Sequence, residues 1–121
     1  MNDTDQAKIE TIIRDRQQAH DFYTARSGVY RAFTQMEAAA FADGALSRGQ
    51  KELIAIGISL TKNCESCLEW HIKQALDAGM TTDQIIEAIG IGIEMGGGPA
   101  TVSSRFALKV LEYYDVAPQR S

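Results

Sequence analysis

Both cysteines of the chain and one of its two histidines fall within eight residues, Cys64-Glu65-Ser66-Cys67-Leu68-Glu69-Trp70-His71. Thiols and an imidazole gathered in this way are the parts of disulfide redox chemistry. A thiolate is the nucleophile, and an unperturbed cysteine with a pKa of ~8.5 is only a few per cent ionised at neutral pH, so something must favour the anion. The first turn of a helix does so, because its unpaired N–H groups and the positive end of its dipole face the side chains there. His71 is a second device: it follows Cys67 by four residues, which on a helix puts it one turn away on the same face, able to take the thiol proton or pair with the thiolate. Cys64 lies seven residues from His71 and is less well placed. Cys67 is therefore expected to attack and Cys64 to resolve. Glu52, one position before an apolar run, is the third element, where a carboxyl group withdrawn from water can orient His71 and relay its proton. An acid in the first turn of a helix is also favoured without any such role.

The elements that must position these groups read as helices throughout, with no strand-like alternation bounded by turns. Ile9, Ile12, Ile13, Phe22 and Tyr23 predict a first helix over 4–26, closed at Ser27-Gly28, and a second follows from Tyr30 to Ala42, stopped by Gly44. Ser47 with Gln50 is a capping-box signature for a third helix over 48–61, whose apolar residues Leu53, Ile54, Ile56, Ile58 and Leu60 wrap most of its circumference, as in a central helix. Asn63 is expected to cap a fourth over 64–78 and Gly79 to end it. Its stripe at positions 64, 67, 68, 71, 72, 75 and 76 faces inward, and Glu65, Glu69 and Lys73 form the expected solvated side. Thr81 with Gln84 caps a fifth helix through Ile93, and Pro99 starts a sixth that runs to about Tyr114, with the last residues fraying.

One hundred and twenty-one residues with 45% apolar content suit a single domain over 1–121. Twelve basic residues against sixteen acidic ones, scattered without a cluster, argue against nucleic acid as partner. The polar, acidic start lacks the features of a secretory signal, and no apolar stretch approaches the ~20 residues of a membrane span. The expectation is a cytoplasmic protein without membrane association, in a compartment where close cysteines are redox-active or metal-binding more often than structural.

Glu52, Cys64 twelve positions on, Cys67 three later and His71 four later form a register that resembles the alkylhydroperoxidase D branch of the carboxymuconolactone decarboxylase-like family. The similarity runs over about 30–111 and includes the apolar helix, the Gly79 stop and the break at Gly96 to Pro99. The resemblance implies a compact all-α bundle of about six helices, with the helix over 4–26 as an extension. It also implies a thiol-dependent hydroperoxide reductase in which Cys67 attacks the peroxide, Cys64 resolves the sulfenic acid as a disulfide, and Glu52 and His71 relay the proton. A dithiol reductant, lipoylated or thioredoxin-like, would close the cycle. Neither haem nor flavin is implied, because the oxidation states reside on sulfur. Members of that branch carry a further histidine between the cysteines, where this chain has Ser66, and a duplicated helical core. The single core here implies a homo-oligomer, a trimer or a hexamer of dimers.

Other chemistries fit less well. Zinc would need a fourth ligand beyond Cys64, Cys67 and His71, and His20 is distant in sequence, as a packed or surface histidine would be. A purely structural disulfide closing so short a loop would remove little chain entropy. Gly90, Gly92 and Gly96 to Gly98 have neither the preceding strand nor the following lysine of a phosphate loop, and read as packing and helix-break positions. Trp70 borders the two faces of its helix as an interface residue, and Met36, Met80 and Met95 read as core filler. Two alternatives to the peroxidase remain: a lactone decarboxylase, whose chemistry does not require a cysteine pair, and a non-enzymatic redox sensor or scaffold, which would oxidise once and stop.

Overall fold

The computed structural model describes residues 1–114 and 116. Among them the regular structure is entirely helical: α1 (Asp3–Arg26), α2 (Gly28–Phe41), α3 (Arg48–Thr61), α4 (Glu65–Asp77), α5 (Thr82–Gly96) and α6 (Gly98–Tyr113). The expected fraying of the last residues lies mostly outside the described ones. Local hydrogen bonds set most of the boundaries. Both capping boxes form, Ser47 with Gln50 at α3 and Thr81 with Gln84 at α5. Between α5 and α6 the chain turns on Gly97 alone, at φ 69° and ψ −150°, a conformation open essentially only to glycine.

Helix α3 is central and packs against α2, α4, α5 and α6. The core is built from Ile56 and Leu60 of α3, Leu68 and Ile72 of α4, Ile85 and Ile89 of α5, and Phe106, Ala107, Val110 and Leu111 of α6, with Ile9 of α1 inserted from outside. Close approach of α3 and α5 depends on Gly92, where a β-carbon would come within 2.9 Å of the Gly57 carbonyl oxygen. Helix α2 buries none of its residues fully.

Three sequence-based expectations are corrected. Cys64, not Asn63, caps α4, because Asn63 is already used to end α3. Glu69 is not solvated but 1% exposed, because α1 lies across that side of α4. Of the three methionines, Met80 does pack, filling the space beside Gly49, whereas Met36 and Met95 are largely exposed. Their partners in the sequence pattern, Ile54, Ile58 and Ile91, are exposed too, so the all-round apolar character of α3 and α5 exceeds what one chain buries.

Candidate active site

The two cysteines are placed by the corner between α3 and α4. The amide of Cys64 donates to the Ser59 carbonyl at 3.1 Å and that of Asn63 to Leu60 at 3.1 Å, while Asn63 sits at φ 52°. This pair of bonds around a left-handed residue is a Schellman motif, with asparagine where glycine is commoner. The Asn63 side chain accepts a hydrogen bond from the Ser103 hydroxyl of α6 at 2.7 Å, which ties the corner to the bundle. Cys64 thus ends one motif and begins the next helix, and its Sγ accepts from the Cys67 amide at 3.2 Å.

Cys64 and Cys67 are joined by a disulfide, with their Cα atoms 5.2 Å apart and both residues half-buried. The anion-favouring amide of the helix terminus serves Cys64 directly, whereas His71 lies one turn beyond Cys67 on the same helix. Nδ1 of His71 is 2.7 Å from Oε1 of Glu52, which is 2% exposed and stands on the second turn of α3 rather than the first, where the sequence placed it. Phe41, the last residue of α2, stacks on the imidazole with ring centres 5.4 Å apart. The ring is therefore held on one edge by a buried carboxyl group and on one face by an aromatic ring.

A second polar cluster lies beside the cysteines. The Arg16 guanidinium of α1 donates to Glu69 Oε1 at 2.6 Å and, through its other terminal nitrogen, to the Ser66 carbonyl at 2.8 Å and hydroxyl at 3.2 Å. Tyr114, just beyond α6, donates its phenol to the other Glu69 oxygen. The buried carboxylate is thereby satisfied from α1 and from the residue that follows α6, as burial of a charge requires. Burial, then the hydrogen bond to Glu69, pushes the Tyr114 phenol well above its ordinary value. Arg16 also lies over the Trp70 ring at 5.2 Å.

The four residues singled out in the sequence, Glu52, Cys64, Cys67 and His71, thus form two pairs: Cys64–Cys67 at the start of α4, and His71–Glu52 between α4 and α3, with His71 one turn past Cys67 on the same helix. His20 packs against Tyr30 of α2 instead, with its Nδ1 2.9 Å from the phenol. Sequence reasoning missed Phe41, Arg16, Glu69 and Tyr114. Arg16 left a signal: it follows Ile9, Ile12 and Ile13 at helical spacing, and a charge on an apolar stripe points to a buried partner. Glu69, flanked at four-residue steps by Glu65 and Lys73, left none. An open apolar groove of about 780 Å³ runs between α3 and α5, but none of the four site residues lines it. Among the described residues no group of three or more His, Cys, Asp or Glu is arranged to hold a metal ion, and no helix is long and apolar enough to cross a membrane.

Comparison with known proteins places this geometry in context. Residues 27–110 match the model of the carboxymuconolactone decarboxylase family. An uncharacterized protein of Cupriavidus necator is 40% identical over 91 residues, 75% of this chain and 78% of that one. An uncharacterized protein of the cox locus of Paracoccus denitrificans is 40% identical over 96 residues, covering 78% and 86%. Among solved structures, a carboxymuconolactone decarboxylase family protein of Legionella pneumophila superposes with a TM-score of 0.81 at 30% identity, over 88% of this chain and 96% of the other. A family protein of Thermotoga maritima, for which a part in an antioxidative response has been suggested, shares the fold with a TM-score of 0.79 at 22% identity, over 86% and 89%.

Proposed function

The chain belongs to the carboxymuconolactone decarboxylase family, and from that premise we propose that it is a thiol-dependent hydroperoxide reductase cycling through the Cys64–Cys67 disulfide. The observation that carries this reading is a disulfide-forming cysteine pair at the start of α4, one turn from a histidine that a buried carboxyl group orients on the same helix. The antioxidative role suggested for the Thermotoga maritima protein points the same way.

In the first step the Cys67 thiolate attacks the distal oxygen of ROOH. An S–O bond forms, the O–O bond breaks, and the departing alkoxide takes a proton to leave as the alcohol. With Nδ1 of His71 committed to Glu52, Nε2 is the nitrogen that takes the thiol proton and delivers it to the leaving group. Cys64 then attacks the sulfenic sulfur, forming S–S, breaking S–O and releasing water. A dithiol reductant, lipoylated or thioredoxin-like, returns two electrons and two protons to restore the thiols. The exposed apolar faces of α3 and α5 suit a homo-oligomer.

Steady-state loss of an organic hydroperoxide, with dihydrolipoamide in excess, tests the reading. Turnover by the native protein that Cys67→Ser abolishes is expected. A protein with a reducible disulfide but no turnover would overturn it and leave a sensor or a protein disulfide exchanger. The family match itself favours a second reading, lactone decarboxylation. That reaction does not draw on a dithiol, so lyase activity unaffected by loss of both cysteines would establish it instead.

A further inference from the structure

Arg16 stands outside the residues that match the family model, yet it reaches the dipeptide between the cysteines. Its guanidinium is forked. One terminal nitrogen is held by Glu69, a carboxylate 1% exposed, and the other holds both the carbonyl and the hydroxyl of Ser66. Nothing in the proposed cycle uses these groups, and a buried ion pair gives little net stability against an apolar pair of the same shape. What the pair does supply is a fixed positive charge beside the first turn of α4, balanced by a fixed negative one slightly farther along the same helix. Tyr114 binds the far carboxylate oxygen and keeps Glu69 in place.

We propose that Arg16 is a positioning residue for the dithiol: anchored by Glu69, it clamps Ser66 and so sets both the shape of the Cys64–Cys67 turn and the ease with which its thiols ionise. The inference rests on the dithiol reading of the site. The charged groups around the turn include the Lys8–Glu65 ion pair from α1 and α4, Arg16–Glu69, His71–Glu52 from α4 and α3, and Lys62, which caps α3 two residues before Cys64. Tyr114 and Lys73 lie beyond Glu69. The first pair holds the Glu65 side chain and the second holds Ser66, the two residues between the cysteines; of the three pairs, the second is the one that bonds to the backbone there.

The electrostatic part of the inference has a sign that a merely structural role lacks. Arg16→Gln leaves the Glu69 carboxylate uncompensated near the thiols and disfavours the thiolate. Glu69→Gln leaves the guanidinium uncompensated and favours it. The readout is the pH at which the fully reduced protein reaches its half-maximal alkylation rate with iodoacetamide, the modified cysteine being located by mass spectrometry. Relative to the native protein, Arg16→Gln is expected to raise this midpoint by about half a unit or more and Glu69→Gln to lower it by a similar amount, roughly threefold in thiolate fraction at a fixed pH. Arg16→Lys, which keeps the charge but not the fork, should recover at least half of the Arg16→Gln shift.

Midpoints that move in the same direction in the two glutamine variants, or in neither, overturn the proposal. If Arg16→Gln fails to fold, Glu69→Gln and Arg16→Lys still decide it, since an unmoved or raised midpoint in Glu69→Gln contradicts the predicted sign. The assay requires no hydroperoxide. Native protein without peroxidase turnover would therefore sink the reductase reading and leave this one standing, and unmoved midpoints in a protein that turns over would do the reverse.

Discussion

Nδ1 of His71 and Oε1 of Glu52 lie 2.7 Å apart although nineteen residues separate them in the chain, and the carboxyl group is almost wholly buried. A carboxyl group withdrawn from water and bonded to one imidazole nitrogen selects the tautomer, so the other nitrogen is left to exchange protons. Glu52→Gln preserves the size and a hydrogen-bonding oxygen while removing the charge. Peroxide turnover should fall on the order of 10²-fold, with its pH profile changed and thermal stability near native. Native kinetics in this variant would mean that the pair is structural.

The two cysteines are served by different devices: the helix-terminal amide reaches Cys64, and His71 lies one turn past Cys67. Cys64→Ser is expected to permit one round of oxidation, leaving a sulfenic acid on Cys67 that a cyclic dione reagent traps and mass spectrometry locates. Cys67→Ser should yield no trapped product. Trapping on Cys64 instead would exchange the two roles and make the amide the stronger influence.

Tyr114 predicts an alkaline limit to stability. Its phenol is held above the ordinary value of 10.0 by burial and by its bond to Glu69, so the folded state keeps the proton through the range in which the unfolded chain gives it up. The contribution is complete below pH ~10 and is lost as pH climbs from there towards the folded value. Urea midpoints at pH 8 and pH 11 should therefore fall more in the native protein than in Tyr114→Phe. The variant should be less stable at pH 8 by about 1 kcal/mol, through the lost hydrogen bond. Equal losses in the two proteins would contradict the assignment; Tyr113, also raised by burial and then by Glu10, is present in both.

Gly97 turns the chain between α5 and α6 at φ 69° and ψ −150°. Gly97→Ala forces a β-carbon into a region that L-residues avoid and should cost about 1–3 kcal/mol, read as a lower urea midpoint with an unchanged slope. Gly98→Ala, next to it and with open space around its Cα, should be much milder. Similar losses in both would show that the turn relaxes.

Much of the bundle was legible in the sequence because the interactions that bound its helices are local. The Ser47–Gln50 and Thr81–Gln84 boxes span three residues, and Gly79, at φ 86°, ends α4 as expected. The Cys67–His71 relation is likewise one turn of one helix. Glu52 required only that an acid precede an apolar run.

The remainder was settled by which helix lies on which face, and that is a property of packing. Glu65, Glu69 and Lys73 look alike at four-residue steps, yet of the three only Glu69 is fully buried, and the Arg16 and Tyr114 that satisfy it come from 53 and 45 residues away. Asn63 could cap a helix on local grounds, but the preceding helix claims it first for a left-handed turn and Ser103 claims its side chain. Met36 and Met95 have the composition of core residues, yet no element among the described residues covers them. Spacing within one helix decides which side chains share a face. Only the fold decides whether that face meets water, a charge or another helix, because burial is a relation between segments distant in the chain.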